Sequence, residues 1–541
     1  MSNEREWWRG AALYQIYLPS FHDGNDDGFG DLPGLLSRLG YVSSLGVDGI
    51  WISPFFASPM WDYGYDVADY RSVDPRFGTL ADFDAVIARA HALDLKVIID
   101  LVWSHTATDH PWFQESRASH RGPKADWYVW ADPAADGGPP NNWLSVFGGS
   151  AWSWDPRRRQ YYLHHFLATQ PKLNLRNDKV LAAHFGNAEY WLDRGVDGFR
   201  FDAVDFMLHD EALPDNPPAK SKLSETPWNP FRLQHHAHDM CQPEINDLLS
   251  RIRGFTDRFR DLVTIGEISS EVGALERVAQ LTAGARLHMA YTLGVMKAAF
   301  TPAMIRQAVN HATVLNRSGW ICWSFSNHDV DRVVSRWNPD MREPTAFAKL
   351  AMALLLSFPG SVCLYQGEEL GLPNARIPHD AIRDPFGQAF YPAYAGRDGS
   401  RTPIPWIKGA AHSGFSRASK TWLPIDAAQD ALAVDAAASA PDSPLAAFRQ
   451  MLSWRKRHPA LLTGDLELFD LPDPLVGWRR CEGSDRVVAV FNLSPEPVSI
   501  PRTSLPPYDP APELGFGTAP ADDRLHLPPF GVSIGQEHGN R

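Results

Sequence analysis

Gly198-Phe199-Arg200-Phe201-Asp202 is the stretch that decides the fold. Side chains alternate along a strand, so a buried strand here places the two phenylalanines on one face and Arg200 with Asp202 on the other. A guanidinium beside a carboxylate lowers the pKa of that carboxyl and keeps it ionised, as a nucleophile requires. A structural ion pair that closes the strand would leave the same pattern. The neighbouring segments must decide between these two interpretations.

Short apolar runs alternate with helical patterns on both sides of this stretch. Apolar residues recur every three or four positions in 32–45, 80–93, 180–194 and 244–260, which predicts amphipathic helices. We predict strands at 13–17, 49–52, 96–101, 198–201, 262–266, 287–291, 321–325 and 362–366. Eight buried parallel strands with helical crossovers predict an α/β fold, a (β/α)8 TIM barrel. A doubly wound open sheet gives the same local signal.

Two segments interrupt the barrel pattern. After the third strand, a stretch rich in Trp, His, Pro and Gly predicts an inserted subdomain. Beyond residue 459, short alternating runs separated by turn residues predict a C-terminal antiparallel β-domain. We therefore expect a first barrel part at 1–103, inserted subdomain B at 104–173, a second barrel part at 174–459 with a loop insertion near 373–410, and the β-domain at 460–541.

The composition narrows the function. A net charge of −13 without a basic run argues against nucleic acid or an anionic membrane as partner. The 20 Trp and 44 Pro residues suit aromatic-lined loops around a neutral ligand. The four cysteines form no CxxC pair, which predicts reduced thiols and no zinc site. The first residues do not resemble a signal peptide, and no apolar run reaches the roughly 20 residues of a membrane helix, so we expect a cytoplasmic protein.

Carboxylates at the strand ends favour the barrel. Asp100, Asp202, Glu267 and Asp329 lie at or just past the C-terminal ends of different predicted strands, where barrel enzymes place their chemistry. Glu267 follows an apolar run and a glycine, a setting that favours a carboxyl group that keeps its proton. An ionised Asp202 and a protonated Glu267 would form the nucleophile and acid pair of retaining glycoside hydrolysis. Taken singly, each of these carboxylates is as well explained by a structural role.

Two histidines are predicted at the same mouth. His105 lies five residues after Asp100, and His328 directly precedes Asp329. They could be metal ligands, but no HxxxH or HxH spacing supports such a site. Hydrogen bonds to sugar hydroxyls explain them better.

Together these motifs resemble glycoside hydrolase family 13, the α-amylase family, from about residue 7 to the C-terminal domain. The segments that carry the resemblance are Asp100-Leu-Val-Trp-Ser-His105, Gln170-Pro-Lys-Leu-Asn174, Gly198-Phe-Arg-Phe-Asp202, Gly266-Glu267 and Ser326-Asn-His-Asp329. The segments Trp7-Trp8-Arg9-Gly10, Tyr14-Gln15-Ile16-Tyr17 and Gly396-Arg397-Asp398-Gly399-Ser400-Arg401-Thr402-Pro403 further resemble the α-glucosidase and oligo-1,6-glucosidase branch.

The resemblance implies a role for each site residue. Asp202 would be the nucleophile, Glu267 the acid/base and Asp329 the transition-state stabiliser. The glucose subsite would consist of Asp62, Tyr65, His105, Phe147, Phe166, Arg200, His328 and Arg397. For Tyr65, Phe147 and Phe166 the alternative is ordinary packing.

The implied activity is that of a retaining, exo-acting α-glucosidase. It would cleave the terminal glucosyl residue from short substrates such as maltose and transfer it to alcohol acceptors as well as to water. The alternatives are an oligo-1,6-glucosidase, a sucrose-isomerising or transglucosylating enzyme of the same family, and a non-catalytic binding subunit. We expect a monomer or homodimer without an organic cofactor.

Three residues depart from the family pattern. Ser104 stands where the family has an Asn that in many α-amylases binds calcium between the barrel and the inserted subdomain, which argues against that site here. Lys172 replaces the Asp common in the oligo-1,6 branch. Ala203 follows the nucleophile where strict α-1,6 enzymes tend to carry Val, which favours α-1,4-linked substrates.

The loop after the first strand reads Asp23-Gly24-Asn25-Asp26-Asp27-Gly28-Phe29-Gly30-Asp31. Side-chain oxygens at alternate positions, with glycines that permit a sharp turn, suit a hard cation. The resemblance implies a structural Ca²⁺, or Mg²⁺, held by Asp23, Asn25, Asp27, the Phe29 carbonyl and Asp31. The alternative is a turn stabilised by Asx hydrogen bonds.

Overall fold

The computed structural model describes residues 6–219, 228–315, 318–514, 516, 520–521 and 523–538. The strands of these residues are β1 Ala12–Ile16, β2 Gly49–Ile52, β3 Phe56–Ala57, β4 Asp69–Val73, β5 Lys96–Leu101, β6 Trp130–Ala131, β7 Trp152–Asp155, β8 Gln160–Leu163, β9 Gly198–Phe201, β10 Val263–Ile268, β11 Met289–Thr292, β12 Cys322–Trp323, β13 Ser361–Tyr365, β14 Asp465–Leu468, β15 Leu475–Glu482, β16 Asp485–Asn492, β17 Val498–Pro501, β18 Tyr508–Pro510, β19 Pro520–Ala521, β20 Arg524–Leu527 and β21 Val532–Glu537.

The α-helices are α1 Leu32–Ser44, α2 Leu80–His91, α3 Pro111–Ala118, α4 Asp178–Leu192, α5 Ile245–Thr256, α6 Ala274–Thr282, α7 Leu293–Lys297, α8 Pro302–Leu315, α9 Val333–Trp337, α10 Pro344–Ser357, α11 Pro385–Phe390, α12 Ala427–Asp430, α13 Val434–Ser439, α14 Pro444–Arg457 and α15 Pro459–Leu462. None of the helices in the described ranges is long and apolar enough to cross a membrane.

Eight parallel strands form one sheet in the order β11-β10-β9-β5-β2-β1-β13-β12. A parallel backbone bridge between Ala290 and Ile321 joins the two outer strands of this sheet. The edges therefore meet, and the sheet is the predicted (β/α)8 barrel, not an open doubly wound sheet. Its interior is filled by side chains that include Leu13, Trp51, Ile98, Val263, Ile265, Met289, Cys322 and Cys363.

Capping residues set the starts of the helices. The Thr79 hydroxyl accepts a hydrogen bond from the Asp82 backbone N–H, and the Asp82 side chain accepts one from the Thr79 backbone N–H, which is a capping box at the start of α2. At the start of α4, the Asn177 side chain accepts a hydrogen bond from the Lys179 backbone N–H. The predicted start of α4 is two residues too late, because the apolar periodicity begins after the cap.

Two additions flank the barrel. Between β5 and β9, strands β6, β7 and β8 form a small antiparallel sheet, which lies in the predicted inserted subdomain. After α15, strands β14, β15, β16, β21 and β18 form the predicted C-terminal antiparallel sheet, with β17, β20 and β19 as a second sheet. The exact residue limits of the domains stay predictions.

Candidate active site

Strands β9 and β10 bring Asp202 and Glu267 together. Phe201 of β9 pairs with Gly266 of β10, so the two carboxylates occupy the next register position on adjacent strands. Adjacent strands lie about 4.8 Å apart. Carboxylates at the same register of adjacent strands are therefore near neighbours, as in retaining glycosidases, whose carboxyl groups lie roughly 5–5.5 Å apart. Both residues are buried, with exposed fractions of 7% and 4%.

One guanidinium connects three carboxylates. Arg200 is fully buried and donates from Nη1 to Asp202 Oδ1 at 2.6 Å and to Asp100 Oδ1 at 2.7 Å. Its Nη2 contacts Glu267 Oε2. The hydroxyl of Tyr291 accepts from Arg200 at 2.8 Å and donates to Glu267 at 3.0 Å. The nucleophile and acid/base candidates therefore share a single cation.

Burial is the main reason why the pKa of Asp202 is raised. Burial raises that pKa to about 7; Arg200 opposes burial, but Asp100 binds the same guanidinium and adds a repulsive negative charge. The prediction that Arg200 holds the Asp202 pKa below its usual range is therefore wrong. Arg200 does lower that pKa, but burial outweighs its effect and the Asp100 charge adds to burial.

Asp329 stays ionised for the opposite reason. It accepts hydrogen bonds from Arg397 at 2.8 Å and Arg401 at 3.1 Å. Burial raises the pKa of Asp329, but His328 and the two arginines outweigh burial and hold that pKa well below its usual range. The site therefore contains one carboxylate whose pKa is lowered and one whose pKa is raised.

Arg397 is the second hub of the site. Its guanidinium donates to Asp62 Oδ1 at 3.1 Å and to Asp384 Oδ1 at 2.7 Å, besides its bond to Asp329. The Asp384 carboxylate also accepts from the Arg397 backbone N–H at 2.6 Å. Despite burial, Arg397 and Arg401 lower the pKa of Asp384. This network locks Arg397 beside Asp62.

His328 stacks against two tyrosines, Tyr65 and Tyr17, with ring centroids 5.2 and 5.5 Å away and ring planes within 12°. Burial lowers the His328 pKa to about 3, so the ring is neutral at pH 7. Gln15 Nε2 lies 2.7 Å from its Nδ1, and Asp329 Oδ2 lies 3.3 Å from its Nε2. With Gln15 as the donor, the proton of the neutral ring sits on Nε2 and points at Asp329.

His105 supports the loop that carries Tyr65. Its Nε2 lies 2.8 Å from the Tyr65 carbonyl oxygen, and the Ser104 hydroxyl lies 2.8 Å from its Nδ1. Burial lowers the His105 pKa to about 4, so this ring is also neutral at pH 7. Gln170 Nε2 donates to Asp62 Oδ2 at 3.2 Å. His105 and Gln170 therefore fix the segment that presents Asp62 and Tyr65.

The two predicted apolar walls have protein partners. Phe147 stacks on Phe386 at 4.1 Å, and the Arg397 guanidinium lies 5.5 Å from the Phe147 ring. Phe166 packs 5.2 Å from His105 and 5.1 Å from Phe206. Both phenylalanines pack against other protein groups beside the site, and their role as walls of the glucose subsite stays a prediction.

Ala203 adopts a backbone conformation that favours small residues. Its φ is 43°, in the left-handed region, and its side chain packs with Phe206 and Met240. A β-branched side chain is strongly disfavoured at such a φ. The turn after the nucleophile therefore disfavours Val at this position on backbone grounds.

The loop 23–31 forms a series of Asx turns. Asp23, Asn25 and Asp27 accept backbone N–H bonds from residues two or three positions later. Asp31 caps α1, and its Oδ2 is buried without a hydrogen-bond partner among the described residues. No group of three or more His, Cys, Asp or Glu in the described ranges is arranged to hold a metal ion. The Asx turns fit the alternative of a loop stabilised by its own hydrogen bonds. The buried Asp31 Oδ2, which has no hydrogen-bond partner among the described residues, is the feature that suits a cation.

The predicted catalytic and sugar-binding residues thus gather around Arg200 and Arg397, at the C-terminal ends of the barrel strands. The predicted cation loop lies elsewhere, where the Ser416 hydroxyl donates to Asp23. Sequence reasoning missed Asp384, Phe386, Arg401, Gln15 and Tyr291 as site residues. Arg401 and Gln15 lie in the segments that resemble the α-glucosidase branch, so the sequence carried a signal for both. Asp384 gave only the signal of a helix cap before a proline.

Comparison with known proteins agrees with this geometry. The family model described as alpha amylase, catalytic domain, matches residues 15–464. A probable alpha-glucosidase of Rhizobium meliloti (strain 1021) is 46% identical over 98% of this chain and 97% of its own length. The oligo-1,6-glucosidase of Parageobacillus thermoglucosidasius is 33% identical over 91% of each chain.

Solved structures show the same architecture. The α-glucosyl transfer enzyme XgtA superposes with a TM-score of 0.94 at 47% identity, covering 98% of this chain and 99% of its own. The trehalulose synthase MutB superposes with a TM-score of 0.86 at 31% identity, covering 98% of this chain and all of its own. The chain belongs to the α-amylase family of glycoside hydrolases.

Proposed function

We propose that the protein is a retaining, exo-acting α-glucosidase. The observation that carries this proposal is the position of Asp202 and Glu267 at consecutive register on adjacent strands, with one guanidinium between them. Neighbouring carboxylates that share one guanidinium support the short separation of a retaining enzyme over the wider one of an inverting enzyme.

The reaction proceeds in two steps. Asp202 attacks the anomeric carbon while Glu267 protonates the leaving oxygen, which breaks the glycosidic bond and forms a covalent glucosyl enzyme. Glu267, now ionised, takes a proton from water or an alcohol, whose oxygen displaces Asp202. Release of the Asp202 carboxylate gives glucose or a transferred α-glucoside and restores the proton on Glu267.

Asp329 and Asp62 bind the hydroxyl groups of the terminal glucose. Both carboxylates are held by Arg397, so their orientation is set before substrate arrives. Neutral His328 completes the subsite beside Asp329, towards which its Nε2 hydrogen points. Tyr65 stacks on His328 and forms the floor of the subsite.

Transfer to alcohols is part of the proposal because XgtA is described as an α-glucosyl transfer enzyme. Maltose is the preferred disaccharide because Ala203 is small. The alternatives are oligo-1,6-glucosidase activity, which relatives carry, and sucrose isomerisation, the kind of chemistry named for MutB. A non-catalytic subunit is the least supported alternative, because all three catalytic carboxylates are present.

We also propose a structural cation, Ca²⁺ or Mg²⁺, held by Asp23, Asn25, Asp27, the Phe29 carbonyl and Asp31. The unpartnered buried oxygen of Asp31 supports it. Bound there, the ion would stabilise the loop without taking part in the chemistry. Calcium should raise the melting temperature of the wild type and not of Asp31→Asn; equal responses would reject the site.

A substrate panel tests the proposed function. The protein is incubated separately with maltose, isomaltose, sucrose and maltotriose, and products are identified by chromatography, with Asp202→Asn as background control. We expect glucose from maltose at the highest kcat/KM, and an additional glucoside when an alcohol is added. Sucrose converted to an isomer without free glucose would reject the hydrolytic assignment.

We also propose a cytoplasmic location and a monomeric or homodimeric state. Cell fractionation would test the location, and light scattering would test the oligomeric state.

A further inference from the structure

The turn that follows the nucleophile is anchored on its barrel side. Residues Val204–Phe206 form a 3-10 turn directly after Asp202 and Ala203. The carboxylate of Asp205 accepts hydrogen bonds from the backbone N–H groups of Ser269 and Ser270, at 3.1 and 2.9 Å. These serines follow Glu267 by two and three residues, so Asp205 ties this turn to the end of β10.

Lys172 anchors the same turn from the inserted subdomain. Its side chain is 1% exposed, and its Nζ donates to the carbonyl oxygens of Phe206 and, at 3.1 Å, Met207. The Lys172 backbone bonds to Leu163 of β8 and to Val129. A single side chain therefore links the small sheet of the subdomain to the nucleophile turn.

The residues at this junction do not suit a metal ion. Carbonyl oxygens are typical calcium ligands, but those of Phe206 and Met207 are occupied by an amine. The Ser104 hydroxyl faces His105, not the junction. Burial lowers the Lys172 pKa to about 7, and Asp239 opposes that shift. Charged or neutral, the amine has enough N–H donors for both carbonyls.

We propose that the Lys172 side chain, in place of an interdomain metal ion, holds the inserted subdomain against the turn after Asp202 and so positions the nucleophile. Without it, two buried carbonyl groups lose their partners. The turn then shifts, and Asp202 no longer meets the anomeric carbon at the correct distance. Lys172 is a positioning residue, since it acts through Asp202; only its kinetic readout rests on the proposed function.

The test compares wild type with Lys172→Met, which removes the donors, Lys172→Arg, which retains them, and Lys179→Met, a control at an exposed lysine on α4. Hydrogen exchange is measured for the peptide that covers 203–208, with EDTA or added calcium, alongside kcat and KM for maltose. The peptide readout separates this junction from the proposed cation loop and is informative even if maltose is not a substrate.

We expect faster exchange in the 203–208 peptide of Lys172→Met, with kcat lowered roughly tenfold to a hundredfold and KM nearly unchanged. Lys172→Arg should recover part of both losses, and neither EDTA nor calcium should change exchange in this peptide. Wild-type exchange and kcat in Lys172→Met would overturn the proposal, as would exchange that EDTA accelerates in the wild type. If Lys172→Met does not fold, the Lys172→Arg and EDTA measurements decide.

Discussion

Replacing Asp100 with Asn should shift the pH dependence of catalysis towards acid. Asp100 and Asp202 bind the same Arg200 nitrogen at 2.7 and 2.6 Å, so their bonded oxygens lie within about 5–6 Å of each other. When both carboxylates are ionised, two unit charges at that distance and an effective dielectric constant of about 20 repel by roughly 3 kcal/mol. One pKa unit corresponds to about 1.4 kcal/mol. Asp100→Asn should therefore lower the Asp202 pKa of about 7 by one to two units.

The assay is kcat/KM for maltose as a function of pH. The wild type should lose activity as the pH falls through about 7, because the nucleophile becomes protonated. In Asp100→Asn the midpoint of this acidic limb should lie one to two pH units lower, because the negative charge of Asp100 no longer repels that of Asp202. Asp94→Asn, at an exposed position in left-handed conformation that Asn tolerates, is the matched control. An unchanged midpoint in Asp100→Asn would refute the reasoning.

Three further predictions follow from the same networks. Asp202→Asn should stabilise the protein more at pH 8 than at pH 5, by up to a few kcal/mol in the free energy of unfolding, which a higher melting temperature would show. The pKa of Asp202 is raised in the folded state, so wild-type stability is lost as the pH rises from about 4 to about 7. A change in melting temperature that is the same at both pH values would count against this explanation. Asp384→Ala should lower kcat/KM by at least tenfold and raise KM, because Arg397 loses the partner that orients it. Removing one partner of a buried pair typically costs about 3–5 kcal/mol of stability, which urea unfolding would measure. Wild-type kinetics and stability in this variant would contradict the role of Asp384. Ala203→Val should lower the ratio of the kcat/KM for maltose to the kcat/KM for isomaltose. It should also destabilise the fold by about 1–3 kcal/mol, because the backbone at position 203 is left-handed. An unchanged ratio would show that Ala203 does not determine linkage preference.

The sequence predicted the barrel because periodicity is a local property. Apolar runs identified each barrel strand, and three-to-four spacing identified α1, α2, α4 and α5; strand-end carboxylates then marked the catalytic face. Even Asp202 and Glu267, which are far apart in the chain, could be paired once both were placed at strand ends.

The parts that failed depend on contacts between distant segments. The Asp202 pKa depends on how deeply the carboxylate is buried and on the Asp100 charge beside Arg200, and both follow from the packing of β5, β9 and β10. Asp384 reaches Arg397 from a long loop with little periodic signal. Lys172 looked only like a departure from a family pattern, and its role follows from the carbonyl groups that it meets in the fold.

The assignment of Asp202 as the nucleophile is tested most directly by trapping the glucosyl enzyme. A fluorinated α-glucosyl fluoride that forms the intermediate quickly and releases it slowly is added, and the labelled peptide is identified by mass spectrometry. We predict one glucosyl adduct per chain, on the Asp202 carboxylate, with activity recovering as the adduct turns over. An adduct on a different residue, or turnover that inverts the anomeric configuration without any adduct, would contradict the account.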